Sequence, residues 1–148
     1  MATAAPFAVP GDGGERLSFG GTTIIVRAAA DTTGGAFTVF EEQAPLLDTS
    51  RHVHEREDEI YYVVAGEHVF VCGDEEHLLG PGGLVFLPRG VPHGHRRVVR
   101  GQGQLLSMTS PAGFEGFFRI LAGAAAAGAP MDEAYERASR EYGITWLG

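Results

Sequence analysis

The chain has 148 residues, of which 44% are apolar, and this suits a single domain with a core of its own. Nineteen acidic and eleven basic residues give a net charge of −8, which argues against nucleic acid as a partner because phosphate backbones are repelled. All eleven basic residues are arginine, so the absence of lysine excludes Schiff-base chemistry and a Walker phosphate loop.

Three features of the sequence predict a cytoplasmic protein with no membrane partner. No apolar run approaches the roughly 20 residues that a helix needs to cross a bilayer. The first residues lack the basic and apolar regions of a signal peptide. Cys72 is the single cysteine, so the chain forms no internal disulfide, which fits a reducing compartment.

Most of the chain consists of short runs rich in Val, Ile, Phe, Tyr and Thr, separated by Gly, Asp or Pro. Such runs predict β-strands. The predicted strands cover residues 23–27, 36–40, 60–65, 68–72, 84–87 and 105–109. Many short strands in a chain of this size favour an antiparallel sandwich or a closed barrel.

The last third of the chain predicts two helices. Ser110 is predicted as an N-cap and Pro111 as the first helical residue, with apolar residues following at helical spacing until Gly128. A second helix is predicted over 132–142. The expected organisation has three parts: a flexible segment at 1–15, an all-β barrel at 16–110 and a helical extension at 111–148 packed on the barrel.

The chemistry-bearing residues form one constellation. His52 and His54 are two residues apart, so an extended segment projects both from one face. Glu59 follows just before a predicted strand, and neighbouring antiparallel strands would bring His93 beside the first pair. Three imidazoles and one carboxylate suit a single divalent Fe, Mn, Ni, Co, Cu or Zn ion with a position open for substrate. We expect a reactive rather than a structural ion, because structural zinc sites usually contain cysteines.

The other histidines and acidic residues have simpler expected roles. His68 and His77 flank a predicted hairpin and are expected in solvent. His95 is expected either to support a ligand or to form part of the barrel wall. The acidic run at 55–58 is expected to be a solvated turn.

Two strings carry a family resemblance. H-x-H-x4-E-x6-G runs from His52 to Gly66, and G-x5-P-x-G-x2-H runs from Gly82 to His93. They resemble the paired motifs of the cupin superfamily, with the four candidate ligands at the motif positions. The resemblance implies a double-stranded β-helix, or jelly-roll, barrel that holds a metal ion in its mouth and commonly forms a homodimer.

A further resemblance concerns the tail. Residues 110–118 and 142–144 resemble the tail of single-domain cupins described as quercetin 2,3-dioxygenase-like. This implies a metal-dependent dioxygenase that uses O2 on a small phenolic or enolic compound, with Glu59 as the catalytic carboxylate that accepts a substrate proton. Two alternatives stay open: a non-redox isomerase or cyclase of secondary metabolism, and a non-catalytic barrel that binds a small molecule.

Aromatic residues and one arginine are predicted around the metal. The candidate substrate-binding residues are Tyr61, Phe40, Arg97, Phe114 and Phe117. Arg97 replaces the asparagine that often ends the second motif, and it either binds an anionic substrate or faces water at the rim. Phe86 and Phe118 are expected to fill the core.

Overall fold

A computed structural model describes residues 4–43, 49–97 and 103–148. The barrel comes first in the chain and is followed by a helical pair and a last short strand. The elements, in chain order, are β1 Glu15–Phe19, β2 Thr22–Ala28, α1 Ala30–Thr33, β3 Thr38–Gln43, β4 His52–His54, β5 Asp58–Ala65, β6 His68–Cys72, β7 Glu75–Leu79, β8 Leu84–Leu87, β9 His93–Arg97, β10 Gln104–Ser110, α2 Glu115–Ala127, α3 Met131–Tyr142 and β11 Ile144–Trp146.

The strands form two antiparallel sheets. The first has the order β1-β2-β3-β10-β5-β8, and the second has the order β11-β4-β9-β6-β7. All six predicted strands are present, because each has alternating or continuous apolar residues that are buried in the interior of the protein. The all-β fold with a C-terminal helical extension is therefore confirmed.

Two apolar cores fix the arrangement. One lies between the sheets and includes Val63, Phe70 and Leu105, which are fully buried. The other joins the barrel to α2, with Phe40 and Leu121 both fully buried in it. Because barrel and helix residues share this second core, the helical pair is packed on the barrel.

The start of the first long helix differs from the prediction. Ser110 and Pro111 precede the helix, which begins at Glu115 with Phe114 as its N-cap. Gly113 has a φ of +124°, which a right-handed helix does not accommodate, so the helix can begin only after it. The carboxylate of Glu115 accepts hydrogen bonds from the Gly113 amide at 3.0 Å and from the Thr38 hydroxyl at 2.5 Å, tying the helix start to β3.

Two side chains lie on the opposite side from the one expected. His68 is fully buried rather than solvated, because it shares the inward face of β6 with Phe70. Phe86 is 54% exposed rather than part of the core, because β8 directs Val85 and Leu87 inward. By contrast Phe118 is buried in the core as predicted. Within the described ranges, no helix is long and apolar enough to cross a membrane.

Candidate metal centre

The four predicted ligands come from three strands that meet inside the barrel. His52 and His54 occupy the two ends of β4, and both are buried because alternation directs them to the same inward face. His52 lies directly opposite His93 in the antiparallel pairing of β4 with β9. Glu59, 2% exposed, reaches the same point from β5 in the other sheet.

The distances between these side chains are short. His52, His54 and His93 each have one ring nitrogen that could bind a metal ion. These three nitrogens all lie within 4.8 Å of one another. Glu59 Oε2 lies 3.2 Å from His93 Nε2 and 3.5 Å from His54 Nε2. The structure therefore brings the predicted three imidazoles and one carboxylate together at one buried point.

Each imidazole is held by a hydrogen bond on its outer nitrogen. Nδ1 of His52 donates to the Ser50 carbonyl at 2.7 Å, and Nδ1 of His54 donates to Glu57 Oε1 at 2.8 Å. Nδ1 of His93 donates to the Val91 carbonyl at 3.3 Å. With Nδ1 protonated, the lone pair of Nε2 faces the common point. This orientation of metal-binding histidines by outer hydrogen bonds is general, so the residues fit a bound ion.

The protonation states of the candidate ligands also fit a bound metal ion. Burial, and then the neighbouring His93, lower the pKa of His52 to about 4, so this ring is neutral at pH 7. Burial alone would raise the pKa of Glu59, but His54 and His93 outweigh it and lower that pKa to about 2. The Ser107 hydroxyl donates to Glu59 Oε1 at 3.3 Å. The centre thus presents a carboxylate and a neutral imidazole, the forms in which these groups bind metal.

A family model describing the cupin domain matches residues 39–108, from the second residue of β3 to the middle of β10. All four candidate ligands lie within the matched segment. The protein contains a cupin domain.

Solved structures with the same fold align with a larger part of the chain than the segment that the family model matches. An RmlC-like cupin from Shewanella frigidimarina is 21% identical, with 75% of this chain and 96% of that chain covered and a TM-score of 0.62. The Streptomyces nucleoside dehydratase Pac13 is 20% identical, with coverages of 76% and 88% and a TM-score of 0.58. A predicted oxalate decarboxylase from Thermotoga maritima is 22% identical, with coverages of 66% and 90% and a TM-score of 0.57. At these identities the likeness concerns the fold. Curated protein sequences contain no significant match.

A cavity of about 70 Å³ is lined by three of the four candidate ligands, His52, His54 and Glu59. Phe114 and Phe117, both predicted near the substrate, form part of its wall from the helical side. The Phe114 ring lies 4.7 Å from the His54 ring, measured between centroids. Tyr61 also lines the cavity, because it alternates with Glu59 along β5.

Two other predicted substrate residues are placed differently. Phe40 is fully buried in the core, where its ring lies 4.9 Å from that of Phe118, and it is not among the described residues that line the cavity. It lies behind the wall because Phe118 packs over it. The side chain of Arg97 lies outside the described part of the chain.

The prediction missed Glu42 and Trp146, which line the cavity together with His95, a residue that was expected to support a ligand or to form part of the wall. Glu42 and His95 face each other across the two sheets, with Glu42 Oε2 3.7 Å from His95 Nε2. Burial, and then the charge of Glu59, raise the pKa of Glu42 to about 8. Trp146 closes the other side, with its ring 4.9 Å from that of His52 and its indole N–H donating to Ser139 Oγ at 2.7 Å. The signal for Glu42 was its place on the inward face of β3 with Thr38 and Phe40, where an acid is unexpected.

Proposed function

We propose that the protein is a metal-dependent enzyme that acts on a small organic molecule, with one divalent transition metal ion held by His52, His54, His93 and Glu59. The observation that carries this proposal is the convergence of three imidazoles, each oriented through Nδ1, and one carboxylate at a buried point beside a cavity. Among the described residues, Glu59 has no ionic partner other than these histidines. Burying four converging donor groups costs free energy unless a cation binds them.

The donor set suits Fe, Mn, Ni, Co, Cu or Zn. A bound ion supplies Lewis acidity, which lowers the pKa of a coordinated hydroxyl, enol or water. Glu59 then serves as the base, since its second oxygen already accepts a hydrogen bond from Ser107 and its carboxylate lies at the cavity wall. The proton moves from the substrate oxygen to a carboxylate oxygen of Glu59.

The cavity wall favours a small, partly aromatic substrate. Phe114, Phe117 and Trp146 supply flat apolar contacts, and Tyr61 supplies a hydroxyl beside the carboxylate of Glu59. A volume of about 70 Å³ is well below the roughly 300–1,000 Å³ of typical ligand pockets. Binding of a phenolic compound therefore requires the wall that the helices and β11 provide to move outward. Arg97 stays a candidate contact for an anionic substrate.

Dioxygenation of a phenolic or enolic compound is the first candidate reaction. It is supported by the three-histidine, one-glutamate donor set together with the aromatic wall. In this reaction both atoms of O2 enter the product after Glu59 has taken the substrate proton, and the electrons come from the organic substrate. No further reductant is required.

A non-redox reaction is the second candidate, and one observation favours it. Glu42, His95 and Tyr61 form a second group of proton-carrying side chains on the same cavity. Because burial raises the pKa of Glu42 to about 8, this carboxyl keeps its proton at neutral pH and can donate it. A base at Glu59 and an acid at Glu42 suit isomerisation, cyclisation or loss of water.

Oxygen consumption separates the candidates. The metal-free protein is loaded with Fe, Mn, Co, Ni, Cu or Zn in turn and mixed with flavonol, 1,3-diketone and enol probes in an oxygen-electrode cell. Dioxygenation predicts equal molar loss of O2 and substrate, abolished in Glu59→Gln and retained in the exposed variant His77→Ala. Turnover that continues under strict anaerobiosis with zinc, and that Glu42→Gln slows, would establish the non-redox reaction instead. Tight probe binding without any product in every metal form would contradict an enzyme.

A further inference from the structure

The cavity has polar side chains in two places, and the metal centre accounts for only one of them. Glu42 and His95 line the cavity from opposite sheets, Glu42 on the inward face of β3 and His95 on β9. They are 8% and 5% exposed. Neither belongs to the three-histidine group that converges on the candidate metal position. A buried acid and a buried imidazole need polar partners, and a ligand in the cavity is able to supply them.

The position of His95 is fixed by its neighbours. Its backbone makes three hydrogen bonds with Thr49: the Thr49 amide and hydroxyl donate to the His95 carbonyl at 2.8 and 3.0 Å, and the His95 amide donates to the Thr49 hydroxyl at 3.1 Å. This close approach requires Gly94, because a Cβ there would lie 2.8 Å from the Thr49 carbonyl oxygen. The imidazole packs against Tyr61 and Phe70, with centroids 5.3 and 5.8 Å away. His95 is therefore held in one place at the cavity wall.

The imidazole of His95 is nevertheless incompletely hydrogen-bonded. Its Nδ1 is buried and has no hydrogen-bond partner among the described residues. Its Nε2 lies 3.7 Å from Glu42 Oε2, which is longer than a hydrogen bond. The three histidines of the metal centre differ, since each makes a hydrogen bond through Nδ1. An oxygen atom bound between Glu42 and His95 would complete hydrogen bonds that the two side chains do not make with each other.

The carboxyl group of Glu42 favours an uncharged partner. Burial, and then the charge of Glu59, raise the pKa of Glu42 to about 8, so this carboxyl is protonated at neutral pH. A protonated carboxyl both donates and accepts a hydrogen bond, as a hydroxyl or carbonyl partner requires. Tyr61 hydrogen-bonds with Glu42 and with Glu59, so it connects this pair with the metal centre. A substrate carboxylate placed here would add a second negative charge beside that of Glu59.

We propose that Glu42 and His95 form a second polar subsite of the cavity, which binds an uncharged hydroxyl or carbonyl group of a substrate whose other oxygen lies at the metal centre. This inference rests on the proposed function in taking the cavity as the substrate site. It narrows the substrate class to small, partly aromatic compounds with two separate oxygen groups. Phe114 and Phe117 supply the apolar wall for the ring that joins the two groups.

The test compares phenol with resorcinol and hydroquinone, which add a second hydroxyl to the same ring. Each probe is titrated into the zinc-loaded protein, and binding is followed by the NMR signal of the indole N–H of Trp146, the single tryptophan, which lines the cavity. The tighter dihydroxybenzene should bind about 10-fold or more tightly than phenol, because a site that hydrogen-bonds a hydroxyl discriminates against the analogue without it. The hydroxybenzoate with a carboxylate at the same ring position should bind more weakly than that dihydroxybenzene.

Two substitutions on β3 test whether Glu42 is responsible. Glu42→Leu replaces the carboxyl with an apolar group of similar size and should abolish the preference for the dihydroxybenzene, whereas Glu42→Gln keeps a donor and an acceptor and should retain it. Glu41→Leu is the matched control, because Glu41 is the next residue along the strand and pairs with Arg27 at 2.8 Å on the opposite face. Its preference should equal that of the wild type. Circular dichroism and zinc content show whether each variant is folded.

In the wild type, intermolecular nuclear Overhauser effects should also place the ring of the bound dihydroxybenzene beside His95. This measurement needs no variant, so it remains decisive if Glu42→Leu does not fold. Equal affinity of the wild type for phenol and both dihydroxybenzenes would overturn the proposal. A preference that persists in Glu42→Leu, that disappears in Glu41→Leu, or a bound ring that makes no contact with His95 would overturn it as well.

The same titrations with metal-free protein separate this subsite from the metal centre. If the metal assignment is wrong, zinc changes neither affinity, yet the preference still distinguishes the wild type from Glu42→Leu. If the subsite is wrong, zinc still strengthens binding, but it does so equally for phenol and for the dihydroxybenzenes, in the wild type and in Glu42→Leu alike.

Discussion

The carboxylate of Glu57 accepts a hydrogen bond from Nδ1 of His54 at 2.8 Å, and both side chains are buried, at 7% and 2% exposure. This contact decides which nitrogen of His54 faces the cavity. It also means that the acidic run at 55–58 is not simply a solvated turn, since Glu57 turns inward while Glu55 stays exposed. Glu57 supports a candidate ligand rather than competing with Glu59 to be one.

Replacing Glu57 should therefore weaken metal binding without removing a ligand. Glu57→Ala is expected to lower metal affinity about 10- to 100-fold, because His54 loses the partner that fixes its ring. The measurement is a competition titration of zinc against a chelator of known affinity. Glu55→Ala is the matched control and should leave the affinity unchanged, because Glu55 contacts the Thr145 hydroxyl instead. Equal affinities for the two variants would contradict the supporting role of Glu57.

The shared core of barrel and helix predicts a large effect at Leu121. This residue is fully buried among barrel and helix side chains. Leu121→Ala should lower the free energy of unfolding by about 2–5 kcal/mol, through lost burial and the cavity left behind. Urea unfolding followed by Trp146 fluorescence and by far-UV circular dichroism measures it, and the two signals should change together.

The exposed Leu78 provides the comparison for this core. Leu78→Ala should change stability by no more than about 0.5 kcal/mol. Separate transitions for Trp146 and for the strands would show that the helical extension unfolds on its own. That result would contradict a common core.

Burial of Glu42 predicts a pH-dependent change in stability of the metal-free protein. Its pKa rises from 4.5 to about 8 on folding, so between these values the folded state holds a proton that the unfolded state has released. The contribution of Glu42 to stability therefore falls as pH rises through this window and is constant above it. Glu42→Gln keeps the neutral form at every pH, so its stability relative to the wild type should increase from pH 5 to pH 8.5.

The difference between variant and wild type is the quantity to measure. His52 and His95 also titrate, because burial lowers their pKa values to about 4 and about 3, and they make both proteins more stable as pH rises towards 6.5. Urea unfolding at pH 5, 7 and 8.5 isolates Glu42, and the same substitution at the exposed Glu67 is the matched control. If the difference in free energy of unfolding between Glu42→Gln and the wild type is the same at every pH, Glu42 is ionised in the folded state.

Much of the barrel could be predicted because its strands carry local signals. The run at 60–65 is rich in β-branched and aromatic residues, and its alternation correctly placed Tyr61 and Val63 on the inward side. The spacing of His52 and His54 was equally informative, since residues two apart in a strand share a face.

The remaining features depend on contacts between distant residues. Whether His68 is buried is decided by the sheet that faces it, and nothing in its sequence neighbourhood distinguishes it from the exposed His77. Likewise β11 is defined by its pairing with β4, about 90 residues earlier, and a three-residue strand has no pattern of its own. The outward position of Phe86 follows from alternation, but apolar residues on both faces of β8 hide the direction.

Metal content measured by elemental analysis tests the central assignment most directly. Wild type and His77→Ala, whose side chain is 44% exposed, should each retain about one transition metal ion per chain after loading and gel filtration. His52→Ala, His54→Ala and His93→Ala should each lose most of it while keeping the circular dichroism spectrum of the wild type. The buried His68 is a poorer control, because its replacement disturbs packing. Equal metal content in all four histidine variants would contradict the proposed centre.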